Sequence, residues 1–127
     1  MRDKEGIILN RVFEMKLRPD PFRRIFSGEK TIEFRLHDEK RSLLRKGDYI
    51  QFTVIADEER TVLAEIVDIF TVPSFVALEQ KLLEIGLLAQ ESFSPAEMRK
   101  YYSVEDEEKY GVMGIRIRVV SSVFVEL

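Results

Sequence analysis

From Tyr49 to Phe70 the chain is dominated by β-branched and aromatic residues, and only the polar stretch Asp57-Glu58-Glu59-Arg60 interrupts it. Two strands joined by so short a connection must run antiparallel, so residues 49–55 and 61–70 are expected to form a hairpin. That is not the regular strand–helix alternation of a doubly wound parallel sheet. The remaining strand signals come singly. Val12 to Leu17 and Lys30 to Leu36 alternate polar and apolar residues, and Gly111 to Val120 reads as a last strand that Val123 to Leu127 extends.

Short helices are expected between these strands. Asp20-Pro21 supplies a cap and a first-turn proline, and Gly28 supplies the stop. Between them Phe22, Ile25 and Phe26 form the buried stripe, with Arg23 and Arg24 outside. The charged stretch Asp38 to Lys46 suggests a short helix ahead of the Gly47-Asp48 turn. Ser74 caps a helix on which Phe75, Leu78, Leu82 and Ile85 recur at helical spacing. Ser94-Pro95-Ala96-Glu97 is a capping box that starts a helix toward Tyr102. The expected class is α+β: a mixed, curled sheet or small β-barrel of about five or six strands, with short helices packed at its ends.

At 127 residues the chain has room for one domain with a real core, over residues 1–127. Residues 1–10 are expected to be a loosely ordered extension. The absence of cysteine excludes disulfides and thiolate metal sites, and the single histidine, His37, argues against a His-rich metal centre. No metal ligand set and no cofactor is expected. No apolar run approaches the ~20 residues that span a bilayer. Met1 to Gly6 is charged and lacks a signal-peptide core, so a cytoplasmic location without a membrane partner is expected. Residues 11–46 hold eleven Lys or Arg against six acids, a net of +5, whereas residues 57–110 hold thirteen acids against five bases, a net of −8. Such asymmetry can aim a local field at an anionic partner.

The basic half contains the most informative segment, Ser27 to Arg35. With a period of two, Thr31, Glu33 and Arg35 share one face of the strand, while Ile32, Phe34 and Leu36 share the other. Lys30 stands at the strand entrance, so an ammonium, a carboxylate and a guanidinium lie within about 17 Å of chain. Burying unlike charges rarely serves stability, which points to a polar ligand. Lys30 can contact phosphate or, when desolvated, act as an amine of lowered pKa; its alternative is a plain salt bridge to Glu33. Glu33 can accept from the exocyclic amine of a base or from a ribose hydroxyl, or act as a general base. Arg35 presents a planar fork that matches phosphate and stacks on bases. Tyr101, Tyr102 and Tyr110 offer stacking platforms, Tyr110 above all because it abuts Gly111. His37 reads as an exposed loop residue. Arg116 and Arg118, and the cluster of Lys40, Arg41, Arg45 and Lys46, can steer phosphates.

Four stretches together resemble the ASCH domain, the activating-signal-cointegrator homology family of the PUA-like superfamily. They are Gly28-Glu29-Lys30-Thr31-Ile32-Glu33-Phe34-Arg35, Lys46-Gly47-Asp48-Tyr49-Ile50-Gln51-Phe52, and Ser74-Phe75 followed by Tyr110-Gly111-Val112-Met113-Gly114-Ile115. The resemblance runs from about Met15 to Val119. It implies a PUA-like barrel with a cleft beside the G-x-K-x-x-E-x-R strand, and a ligand that is RNA or nucleotide-like. Some family members are amidohydrolases acting on N4-acetylcytidine through a lysine, a threonine three residues later and a more distant glutamate; others cleave RNA. Here Lys30 holds the lysine position and Glu33 that of the threonine, with Glu79 and Glu84 as the nearest candidates for the distant glutamate. Two readings follow: a binding module using Lys30, Glu33, Arg35 and Tyr110, or a hydrolase in which Lys30 and Glu33 are catalytic. A pure protein-interaction domain ranks third, since no contiguous apolar surface is evident.

Overall fold

The computed structural model describes residues 11–124, with side chains through Ser121. The N-terminal extension expected over 1–10 and the last residues of the expected strand to Leu127 lie outside that range. The elements in chain order are β1 (Val12–Leu17), α1 (Pro19–Ser27), β2 (Ile32–Leu36), a single 3-10 turn (Arg41–Leu43), β3 (Tyr49–Val54), β4 (Asp57–Val72), α2 (Phe75–Glu84), α3 (Leu88–Glu91), α4 (Pro95–Met98), α5 (Val104–Tyr110) and β5 (Val112–Phe124). The five strands form one curled, half-barrel sheet in the order β1-β3-β4-β5-β2. Only β1 and β3 are parallel; the other neighbours are antiparallel. The expected α+β class, a mixed curled sheet with short helices, is the observed one.

Two apolar clusters sit on either side of β2. The alternate residues Ile50, Phe52 and Val54 of β3, with Val62, Ala64 and Ile66 of β4, pack inside the curl against Phe22 and Ile25 of α1. The second cluster joins Ile32, Phe34 and Leu36 of β2 to Phe75, Leu78, Leu82 and Phe93. Because β2 gives one face to that cluster, its other residues, Glu33 and Arg35, must point the opposite way. The strand order leaves β1 and β2 as the two edges. Curling brings them near each other, and Arg35 Nη2 donates to the Lys16 carbonyl oxygen at 3.2 Å. The edges are thus joined by a side chain and not by a backbone ladder.

Several local expectations need correction. The β3–β4 turn is at Ile55-Ala56, with Ala56 at φ +70°, and residues 57–60 belong to β4. Their acids are exposed at the strand's end, where a fall in hydropathy looks like a loop. Phe26 is exposed and leaves only Phe22 and Ile25 buried on α1, whose cap position is Arg18. Of residues 38–46 only Arg41–Leu43 are helical. Ser74 does cap α2 by accepting from the Ala77 N–H at 3.0 Å. Ser94 caps nothing with its side chain, and α4 ends after a single turn. The chain then forms α5, where no helix is expected from the sequence, capped by Ser103 on the Asp106 N–H at 3.1 Å.

The K-G-D-x-I-x-F stretch proves to be architectural. Gly47 turns the chain at φ +93°. Asp48 then accepts from the Arg45 N–H at 3.0 Å and from Arg11 Nη2 at 2.8 Å, tying the starts of β1 and β3 together. Burial opposes ionisation of Asp48, but these bonds outweigh it and hold its pKa below the usual carboxylate range. Ile50 and Phe52 are fully buried. Gly114 plays a comparable part on β5: a Cβ there would fall 2.2 Å from the Phe70 ring, so only glycine lets that ring lie against the strand.

Candidate functional site

Gly28, at φ +85°, ends α1 and donates its N–H to the Ile25 carbonyl at 3.1 Å. That left-handed residue reverses the chain, and Lys30 then donates its N–H to the Arg24 carbonyl at 2.9 Å. The reversal drops the Lys30 side chain inside, where it is 7% exposed. Its Nζ donates to the Ile32 carbonyl, lies 3.6 Å from Glu33 Oε1, and sits 4.1 Å above the centre of the Phe34 ring. Glu33 is equally buried. Its Oε2 accepts from Arg35 Nε at 2.9 Å and forms an ion pair with Nη2 at 2.8 Å, and its Oε1 accepts from the Phe34 N–H at 3.3 Å.

A fourth charged group completes the cluster. Glu91, at the end of α3, is 2% exposed. Its Oε2 accepts from the Thr31 N–H at 3.1 Å and the Thr31 hydroxyl at 3.2 Å, and its Oε1 accepts from the Ile32 N–H at 3.1 Å. The arrangement has a simple physical basis. As an edge strand β2 turns some backbone groups away from β5, and a buried group left unpaired would be costly. Glu91 and Glu33 take two of those N–H groups, and Lys30 takes the Ile32 carbonyl. The charged side chains therefore mask the edge while facing one another.

Electrostatics follow from burial. Desolvation pulls the Lys30 pKa down, against the attraction of Glu33 and Glu91, and the net shift is downward. Burial also works against the Arg35 cation, but Glu33 and its other neighbours outweigh it and the pKa rises. Burial raises the Tyr102 pKa despite the opposing charge of Arg35. Between its lowered folded pKa and the ordinary lysine value, Lys30 binds fewer protons folded than unfolded, so stability rises with pH across that window. Above the ordinary tyrosine value, Tyr102 holds its proton longer when folded, and its contribution is lost as pH rises further. Urea titrations between pH 7 and the ordinary tyrosine value should show the rise in wild type and its loss in Lys30→Met; a rise that persists in the variant would contradict the assignment to Lys30.

These groups line a cavity of about 540 Å³ in the seam between β1 and β2. Lys30, Glu33, Arg35 and Glu91 form its floor, Phe34, Phe93, Tyr101 and Tyr102 its aromatic wall, and Lys16, Arg18, Arg24, Asp20 and Glu97 its more exposed mouth. The structure thus brings together Lys30, Glu33 and Arg35. It does not bring Tyr110 to them. Tyr110 closes α5 and packs on the second apolar cluster, with Lys109 Nζ 5.0 Å from its ring centre. The intervening helix α5 carries it away, and of the three tyrosines only Tyr101 and Tyr102 line the cavity. Thr31 spends its hydroxyl on Glu91. His37, Arg116, Arg118 and the Lys40–Lys46 cluster also lie off the cavity; Arg118 pairs with Glu65 at 2.8 Å and Arg41 with Asp38 at 3.1 Å. Glu79 and Glu84, on α2, do not line it either. The carboxylate that does is Glu91, 60 positions from Thr31; no local pattern in the sequence marks it. Among the described residues no group of three or more His, Cys, Asp or Glu is arranged to hold a metal ion, and no helix is long and apolar enough to cross a membrane.

The chain and its fold are similar to known proteins. The hypothetical protein PH0355 is 30% identical, with a TM-score of 0.68 over 86% of this chain and 99% of its own. Protein PF0455 from Pyrococcus furiosus is 29% identical, with a TM-score of 0.61 over 87% of this chain and 98% of its own. The ASCH protein from Zymomonas mobilis shares the fold at 18% identity, with a TM-score of 0.64 over 91% of this chain and 74% of its own. No curated protein matches. The model of the ASCH domain family matches residues 15–121, close to the span over which the motifs already resemble it. The chain belongs to the ASCH domain family.

Proposed function

We propose that the seam cavity binds RNA or a nucleotide-like ligand, taking a base or nucleoside into the space between β1 and β2. The observation that carries this reading is the convergence of the buried Lys30, Glu33 and Glu91 and the partly buried Arg35 beneath an aromatic wall. A volume of about 540 Å³ lies within the range of small-ligand sites. Lys30 and Arg35 supply donors, and Glu33 supplies an acceptor for an exocyclic amine or a ribose hydroxyl. Tyr102 stacks on Phe75 at 5.6 Å between ring centres, which holds one wall rigid for a base to lie against.

Glu91 supports a second reading, hydrolysis of a modified nucleoside. A desolvated lysine and a buried glutamate on one cavity match the lysine and distant glutamate that the family resemblance implies, although Glu33 replaces the threonine. In that reaction water adds to an acyl carbon, a carboxylate takes its proton, Lys30 stabilises the developing oxyanion, and the carbon–nitrogen bond breaks as the amine is protonated.

Calorimetric titration with the common ribonucleoside 5′-monophosphates and a short single-stranded RNA tests the first reading. Saturable binding that weakens as salt rises is expected; no binding by any of them overturns it. Release of acetate from N4-acetylcytidine, lost in Lys30→Met, would establish the second reading.

A further inference from the structure

We propose that Arg18 is a phosphate-binding residue at the cavity mouth, held in place by Tyr101. The proposal rests on the nucleotide reading above and narrows it: the bound ligand carries a phosphate ester, either a terminal phosphate or an RNA backbone phosphodiester.

The cations that line the cavity are not equivalent. Lys16 pairs with Glu58 at 3.1 Å, Arg24 with Glu29 at 3.8 Å, and Lys30 and Arg35 with Glu33. Arg18 lines the same cavity, yet among the described residues no carboxylate pairs with it. Its guanidinium is nonetheless fixed. Nη1 donates to the Tyr101 hydroxyl at 2.7 Å, and the guanidinium carbon lies 4.1 Å above the Tyr101 ring centre. Stacking and one neutral hydrogen bond hold a cation still without cancelling its charge. Most of its N–H groups stay uncommitted, in the planar fork that matches phosphate oxygens.

The acids nearby do not compete. Asp20 and Glu97 also line the cavity, but Asp20 pairs with Arg23 at 3.1 Å and Glu97 with Lys100 at 3.1 Å. The polarity of the cavity is consistent with the assignment. Its floor carries two cations against two carboxylates, whereas its mouth adds a guanidinium with no counter-ion. A base inside and a phosphate at the rim is the orientation that meets both.

Arg18 is exposed and makes no side-chain bond as the cap of α1, so replacing it should leave the fold intact. The test compares each common ribonucleoside, its 5′-monophosphate and a dinucleoside monophosphate by calorimetry on wild type, Arg18→Gln and Tyr101→Phe. Wild type should bind a phosphate-bearing probe about tenfold tighter than the parent nucleoside, and Arg18→Gln should erase that preference while nucleoside affinity stays unchanged. Tyr101→Phe keeps the ring and loses the hydroxyl, so about a threefold loss confined to phosphate-bearing probes is expected. A preference for the 5′-monophosphate identifies a terminal phosphate, and one for the dinucleoside monophosphate alone a backbone phosphate; either supports the proposal. Equal binding with and without phosphate, or a preference that survives in Arg18→Gln, overturns the role of Arg18 and leaves the nucleotide reading standing. No binding by any probe overturns both.

Discussion

Replacing Glu33 with alanine should lower the stability of the protein by about 3–5 kcal/mol, because the substitution strands the buried Lys30 beside the partly buried Arg35. For a chain of this size that is a fall in melting temperature of about 10 °C or more. Lys30 and Arg35 side chains are only 7% and 16% exposed, and Glu33 is the carboxylate both face. Its loss also frees the Phe34 N–H at the masked edge of β2. Circular-dichroism melts at constant pH check the expectation. A loss of less than about 1 kcal/mol, the range of ordinary exposed pairs, would mean that the cations do not depend on Glu33.

Lys30→Met should behave in the opposite way, keeping the fold and losing the ligand. Methionine is close in length and apolar, and it removes a charge whose burial is costly, while Glu33 keeps its bonds to Arg35. The Ile32 carbonyl loses a donor, at a cost of about 1 kcal/mol, which the removed desolvation offsets. A melting temperature within a few degrees of wild type is therefore expected, with nucleotide or RNA affinity reduced at least about tenfold by loss of a charged donor. Unchanged affinity in a folded variant would remove Lys30 from the site. Arg35 is a poorer probe of binding, since it also joins β2 to the Lys16 carbonyl and its loss removes that link across the seam.

How far the sequence reveals this site depends on the range of the forces involved. The β2 alternation is legible because one face of that strand meets an apolar cluster, and burial imposes a period of two on its residues. Gly28, the stop of α1, is legible for the same local reason, whereas the helix starts at Pro19 behind Arg18 and not behind an Asp20 cap. The 57–60 stretch misleads because exposed strand ends and loops share a composition. Ser94 satisfies the pattern of a capping box, yet α4 is a single turn and its serine hydroxyl is not used as a cap. Glu91 is silent in sequence: its partners are Thr31, 60 positions away, and the Ile32 N–H that follows it, and nothing near Glu91 in the chain records those contacts. Tyr110 misleads because adjacency to Gly111 says nothing about α5, which turns it onto the second cluster.

The seam between β1 and β2 is the centre of the account, and amide chemical-shift mapping tests it most directly. On titration with the tightest-binding 5′-monophosphate or short RNA, the largest shifts should fall on residues 30–35, 91–94 and 101–102. Shifts gathered instead on the exposed strand positions of β3 and β4, with residues 30–35 unmoved, would contradict it.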